Sequence, residues 1–185
     1  MGKIYPEIDD KLRAFIEAQH VFFVATAPSG DGGHPNCSPK GRDSLKFLGS
    51  RTVAYVDFVG SGVETIAHLR QNGRIVIMFC AFEGPPKIVR LHGRGTVIEP
   101  ADPAFASLLE EMKCEPELGL RSIVRVDLER ISDSCGYGVP LYRYERERDQ
   151  LPRWAEKKGV DGLEVYKREK NAVSIDGLPG LASLE

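Results

Sequence analysis

Three strand-like runs, Thr52–Val59, Arg74–Phe82 and Lys87–Ile98, surround a single helical insertion that opens at Gly60-Ser61-Gly62 and continues through Val63-Glu64-Thr65-Ile66-Ala67-His68-Leu69. A strand that breaks at Gly-Ser-Gly and then starts a helix leaves backbone N–H groups unpaired, and such groups bind anions, phosphate among them. Just upstream, Asn36-Cys37-Ser38-Pro39-Lys40-Gly41 brings amide, hydroxyl and ammonium donors to the end of a neighbouring strand. The pattern predicts an antiparallel barrel carrying a phosphorylated cofactor.

The remaining segments fit that frame. Glu7–Gln19 places Ile8, Leu12, Phe15 and Ile16 at helical spacing, and His20–Thr26 is dense in β-formers before the loop Pro28-Ser29-Gly30-Asp31-Gly32-Gly33. The next strand, His34–Pro39, carries two prolines, which argue for an edge or a bulge. Thr52–Val59 alternates, Asn72-Gly73 stops the inserted helix, and Arg74–Phe82 is apolar on both sides, as a covered central strand is. In Lys87–Ile98, Ile88, Arg90, His92 and Arg94 alternate with Val89, Leu91, Gly93 and Gly95; the two glycines relieve a tight bend or admit something flat against the backbone. Pro103–Met112 reads as a helix capped by Asp102, Arg121–Ile131 as a strand, and Asp149–Lys158 and Asp161–Lys170 as two surface helices, with an irregular tail from Asn171. This is a mainly β chain with helices, one domain over residues 1–185, in which residues 145–185 form a helical extension.

A chain of 185 residues suits one compact core, and its formal net charge of -2 gives no case for a nucleic-acid or membrane-surface partner. No apolar run approaches the ~20 residues of a membrane span, and Met1-Gly2-Lys3-Ile4-Tyr5 lacks a secretory apolar core, so a cytoplasmic location is expected. Cys37, Cys80, Cys114 and Cys135 show no metal-ligand spacing and read as free, mostly buried thiols, Cys37 being set apart by its closeness in sequence to Lys40. No His pair has metal spacing, and Gly60-Ser61-Gly62 is not a hydrolase elbow. His68 reads as a packed or hydrogen-bonded residue rather than a catalyst.

Taken in order, helix, hairpin, Asn-Cys-Ser-Pro-Lys-Gly, strand, Gly-Ser-Gly helix, apolar strand and Ile-Val-Arg-Leu-His-Gly-Arg-Gly, the chain resembles the pyridoxamine 5'-phosphate oxidase-like family of flavin-binding split β-barrels. Tyr55-Val56-Asp57, His68-Leu69-Arg70, Met78–Pro86 and Ser134–Pro140 resemble more narrowly a bacterial and fungal branch whose members mostly lack an assigned substrate. The resemblance implies a six-stranded antiparallel split barrel, a homodimer, and flavin mononucleotide (FMN) held in clefts between subunits. It places Cys37, Ser38, Lys40 and Asp57 toward the flavin ring or ribityl chain, and Ser61, Gly62, Val63, Glu64 and Thr65 at the phosphate. Arg90 is a candidate for the same anion from another strand, and Cys135 and Tyr137 belong to a loop that closes the cleft from the partner. The biosynthetic branch carries Arg and Lys where this chain has Gly62-Val63, and Gln where it has Ile88; Lys87, Arg42, Arg70 and Arg94 are the other cations available to compensate.

The expected activity is flavin-dependent oxidation or reduction of an unidentified small molecule, with no protein nucleophile required. Two alternatives remain open: a non-catalytic protein that binds flavin, deazaflavin or haem on the same barrel, and a barrel that has lost its ligand and serves in interactions.

Overall fold

The computed structural model describes residues 2–185. Eight strands form one curled antiparallel sheet: β1 (Ile4–Tyr5), β2 (Phe22–Thr26), β3 (Asn36–Lys40), β4 (Leu45–Phe47), β5 (Thr52–Phe58), β6 (Arg74–Cys80), β7 (Ile88–Ile98) and β8 (Leu120–Ser134). Their order is β3-β2-β6-β7-β8-β5-β4, with β1 pairing β8 on the side. The helices are α1 (Asp10–Glu17), α2 (Glu64–Asn72), α3 (Phe105–Glu111) and α4 (Gln150–Lys170). The mainly β, split-barrel expectation holds, with two strands beyond the expected six: the short β1 and β4, neither of which carries enough alternation to stand out in sequence.

One face of the sheet makes the core. Val24, Val53, Tyr55, Ile77, Val89, Leu91, Val124 and Ile131 are fully buried in a single cluster, to which α1 adds Leu12 and Ile16. Asp9 caps α1, accepting from the Leu12 N–H at 2.8 Å, which sets the helix start three residues later than the apolar spacing alone suggests. Helix α2 lies against the core ends of β2 and β7 and stops at Gly73, which takes φ 71° and returns its N–H to Leu69.

The glycines of β7 separate into two roles. At Gly93 the β7/β8 register shifts, and a Cβ would stand 2.2 Å from the Asp127 carbonyl oxygen, so this residue lets the bulge close. At Gly95 a Cβ would meet the Leu69 side chain at 2.8 Å, so what approaches the backbone here is α2.

One expectation for the C-terminal part holds and one is corrected. The two surface helices are both present, joined within the α4 span by a break at Gly159, whose φ of 66° and ψ of 176° are non-helical. The tail is ordered by a Val173–Pro179 bridge and a short 3-10 turn over Ala182–Leu184, because Leu181 is buried with Val63 and Ile66. Trp154 packs edge-on against Tyr166 at 5.0 Å, beside the small cluster of Val59, Ala155 and Leu163 that holds α4 to the barrel.

The Gly93→Ala variant is expected to lose about 2 kcal/mol of stability, because the Cβ collides with backbone rather than with a movable side chain. Urea unfolding of the two proteins measures it; equal midpoints would show that the bulge relaxes freely.

Candidate functional site

The barrel is split between its edge strands β3 and β4: no backbone ladder joins them, although the turn Gly41–Ser44 carries the chain from one to the other, with Arg42 and Asp43 at φ 62° and 50°. Side chains bridge the gap. Lys40 Nζ donates to Asp57 Oδ1 at 2.6 Å, and Arg121 on β8 donates through Nε to Asp57 Oδ2 at 2.8 Å. Arg121 also donates through its NH1 nitrogen to the Gly62 carbonyl at 2.9 Å, so one guanidinium fixes both the aspartate and the turn that opens α2. Further along the split, Asn36 Nδ2 reaches Thr65 Oγ1 at 2.9 Å and Ser38 Oγ at 3.2 Å.

The charge balance follows from burial. Asp57 is 4% exposed in its side chain, Arg121 6% and Lys40 23%. Burial pushes the Asp57 carboxyl up, but the Lys40 and Arg121 charges and their hydrogen bonds outweigh it and hold the group below the usual carboxylate range. Asp57 is therefore an anion between two cations, and Lys40 is the most exposed side chain of the three. Tyr55, below them, is fully buried; burial and the Asp57 charge push its phenol well above the ordinary value, which keeps it protonated, and its hydroxyl has no hydrogen-bond partner among the described residues.

Strand alternation divides the sequence-derived candidates into two sets. Asn36, Ser38 and Lys40 are paired with Thr26, Val24 and Phe22 respectively and face the split, together with Asp57, Gly62 and Thr65. Cys37 is paired with Ala25 on the opposite face and is exposed, so Lys40 lies on the other side of its strand. Arg90 shares that outer face: it is opposite Met78, which is opposite Phe23, and its NH1 nitrogen donates to Ser134 Oγ at 2.9 Å. Cys135 and Tyr137 follow the end of β8; both are exposed, Tyr137 at 82%, while Gly136 between them takes φ 68° and packs where a Cβ would lie 2.9 Å from the Lys87 N. All four thiols are free, but only Cys80 is fully buried, which corrects the expectation of mostly buried cysteines.

The Gly60–Thr65 turn is embraced by the C-terminal tail. Asn171 Nδ2 donates to the Gly60 carbonyl at 2.9 Å, and Glu64 Oε1 accepts from the Ile175 N–H at 3.4 Å. The other Glu64 oxygen lies over Gly62, where a Cβ would be 2.3 Å away. Val63 is buried under Leu181, and Ser61 is exposed. His68 is fully buried with Nδ1 2.9 Å from Thr26 Oγ1; burial holds its pKa below the ordinary histidine value, in line with a packed, hydrogen-bonded ring.

Arg121 was not among the candidates that sequence reading selected. It opens an apolar strand run, and the signal that marks it is three-dimensional: β8 pairs with β5 so that Arg121 comes beside Asp57. A cavity of about 830 Å³ lies beside the split, under the arm of residues 142–150, where Tyr144 stacks on His20 at 3.6 Å and the Tyr142 N–H donates to the Phe82 carbonyl. Among the described residues no cluster of metal-binding side chains occurs and no helix is long and apolar enough to cross a membrane.

With this geometry in view, the comparisons with known proteins are informative. The family model described as pyridoxamine 5'-phosphate oxidase matches residues 8–135. The chain belongs to that family. It is 40% identical over 198 residues to the pyridoxamine 5'-phosphate oxidase family protein ustO of Aspergillus flavus, a match spanning 99% of this chain and 79% of the relative. Among solved structures, a HupZ variant from Group A Streptococcus superposes with TM-score 0.52 at 22% identity, covering 69% of this chain and 99% of that one. A protein of the pyridoxinephosphate oxidase family related to general stress protein 26, from Clostridium acetobutylicum, superposes with TM-score 0.50 at 14% identity over 68% of this chain and 86% of that one. These likenesses show the fold.

Removing the Asp57 charge leaves two cations at the split without their anion, so Asp57→Ala is expected to destabilise by about 3 kcal/mol. The folded-state pKa of Asp57 lies below the ~3.9 of an unfolded aspartate, so its stabilisation is complete above that value and fades as pH falls through the folded pKa. The stability gap between the native chain and Asp57→Asn should therefore narrow from pH 7 toward pH 3 in urea titrations; a gap independent of pH would show that the carboxylate is not specially stabilised.

Proposed function

We infer that this protein is a flavin-dependent oxidoreductase that works as a homodimer on a small molecule. The observation that carries the reading is the placement of a partly exposed lysine, Lys40, beside Ser38 and Asn36 along one strand at the barrel split, backed by a buried Asp57–Arg121 pair that fixes its position. Membership of the pyridoxamine 5'-phosphate oxidase family supports a flavin as the group held there.

The donor set fits the ring and polyol of a flavin. Lys40 Nζ and Ser38 Oγ offer hydrogen-bond donors to the carbonyl and nitrogen edge of an isoalloxazine, and Asn36, Thr65 and Ser61 offer hydroxyls and an amide to a polyol. A bound flavin supplies the two-electron chemistry. The protein's share would be electrostatic: Lys40 would offer positive charge to the anionic reduced ring, and its bond to Asp57 holds it in position. A positioned cation of this kind acts without a nucleophile or triad.

Dimerisation is supported by the outer face of the sheet. Phe23, Ala25, Val76 and Met78 form a half-exposed apolar stripe across β2 and β6, bordered by Cys37 and Pro39 on β3 and by Arg90 and His92 on β7, and the His92 Nδ1 is buried without a partner among the described residues. Contiguous apolar sheet surface of this type is covered in stable proteins, and a two-fold partner covers it with its own copy. Lys40 and Arg90 lie on opposite faces of one sheet; a single ligand meets both when it lies between two copies.

Protein reconstituted with flavin should be yellow, should elute and scatter as a dimer, and should bleach anaerobically under a reduced nicotinamide cofactor. Lys40→Ala should weaken flavin retention about tenfold, in keeping with loss of one charge-assisted contact. A coloured protein that no reductant bleaches favours the binding-protein alternative, and a concentration-independent monomer without colour contradicts the reading.

A further inference from the structure

Flavin mononucleotide ends in a phosphate, and the turn that would meet it is built differently from a phosphate site. Among the described residues, none of the cations that the sequence offers for it is free within the same copy. Lys40 and Arg121 are both committed to Asp57, and Arg121 also to the Gly62 carbonyl. Arg70 donates to the Gly180 carbonyl at 2.5 Å and pairs with Glu185. Arg42 pairs with Glu117, Arg94 with Glu129 and Lys87 with Asp133 at 3.7 Å, while Arg90 is on the outer face. The position after Gly62 is Val63, whose side chain is buried with Ile66 and Leu181 and offers no donor.

An anion is already present. The Glu64 carboxylate folds back over Gly62 and is tied to the tail through the Ile175 N–H. Glu64 is the first residue of α2, where a negative charge satisfies the positive end of the helix as a phosphate would. Around this turn stand two cations, Lys40 and Arg121, and two carboxylates, Asp57 and Glu64, so the site is close to neutral before any ligand arrives. A phosphate dianion placed here meets a carboxylate at contact range, and each of these cations of the same copy is already committed or faces away.

The tail completes the closure. Asn171 is fully buried and holds the Gly60 carbonyl, and Gly180, where a Cβ would be 2.1 Å from the Asn171 carbonyl oxygen, threads between Asn171 and Val63. With the Gly60 and Gly62 carbonyls anchored inward, the trans peptide geometry turns the Ser61 and Val63 N–H groups the other way, which leaves neutral donors for a hydroxyl.

We propose that this turn accepts a neutral polyol and rejects a phosphate, so that the flavin this chain takes is an unphosphorylated one of the riboflavin class. The proposal rests on the flavin reading above. The test is equilibrium binding of riboflavin and of FMN to the full chain, followed by flavin fluorescence, with Glu64→Gln as the second protein. Riboflavin should bind as tightly as FMN or more tightly, to within about threefold, and Glu64→Gln should tighten FMN about three- to tenfold while leaving riboflavin within about twofold. FMN binding tenfold or more tighter than riboflavin to the native chain overturns the proposal and leaves the flavin reading intact. Failure of both flavins to bind the native chain overturns the flavin reading and this proposal with it.

Discussion

A buried carboxylate between two cations holds the functional end of this barrel together. Asp57 is nearly inaccessible, and an isolated charge at such depth would neutralise itself. Lys40 and Arg121 prevent that; Lys40 ties β3 to β5, which share no ladder, across the split, and Arg121 ties the α2 turn to the same carboxylate through its bond to Gly62. A buried pair of this kind contributes less to net stability than to uniqueness of geometry, since removing one partner strands the other. Its importance here is geometric. It sets where the Lys40 ammonium stands and which way the Gly60–Thr65 backbone faces.

Much of this was legible in the sequence, and the part that was not has a common cause. The apolar run Arg74–Phe82 and the alternating Lys87–Ile98 read correctly as paired strands because burial on one or both faces leaves a period in the residues themselves. Strands β1 and β4, of two and three residues, leave no period, and the helix start at Asp10 was set by a cap rather than by apolar spacing. The pair of C-terminal helices was legible as well, because Gly159 interrupts an otherwise helical composition and takes non-helical angles there. At the site, Lys40 stood out through its flanking motif, while Arg121 was hidden at the head of a hydrophobic run. Its partner Asp57 is 64 residues away in sequence, and such a pairing becomes visible only once β5 and β8 are in register.

The same logic applies to Gly62. In its Gly-Ser-Gly turn it reads as part of an anion site; in the fold the anion that lies over it is the chain's own Glu64 carboxylate. Likewise Gly95 makes room for Leu69 of α2. Glycine in a sequence marks proximity, and structure decides whether the neighbour is a ligand or the protein.

The account stands on Lys40 being the cation that a flavin ring meets at a two-fold interface. A crystal structure of the protein grown with riboflavin addresses this directly. The account predicts isoalloxazine density within hydrogen-bond distance of Lys40 Nζ, with the outer β2–β6 face of a second copy closing the cleft. Density stacked instead on His20 and Tyr144 under the C-terminal arm, with Lys40 untouched and the outer face open to solvent, would contradict it.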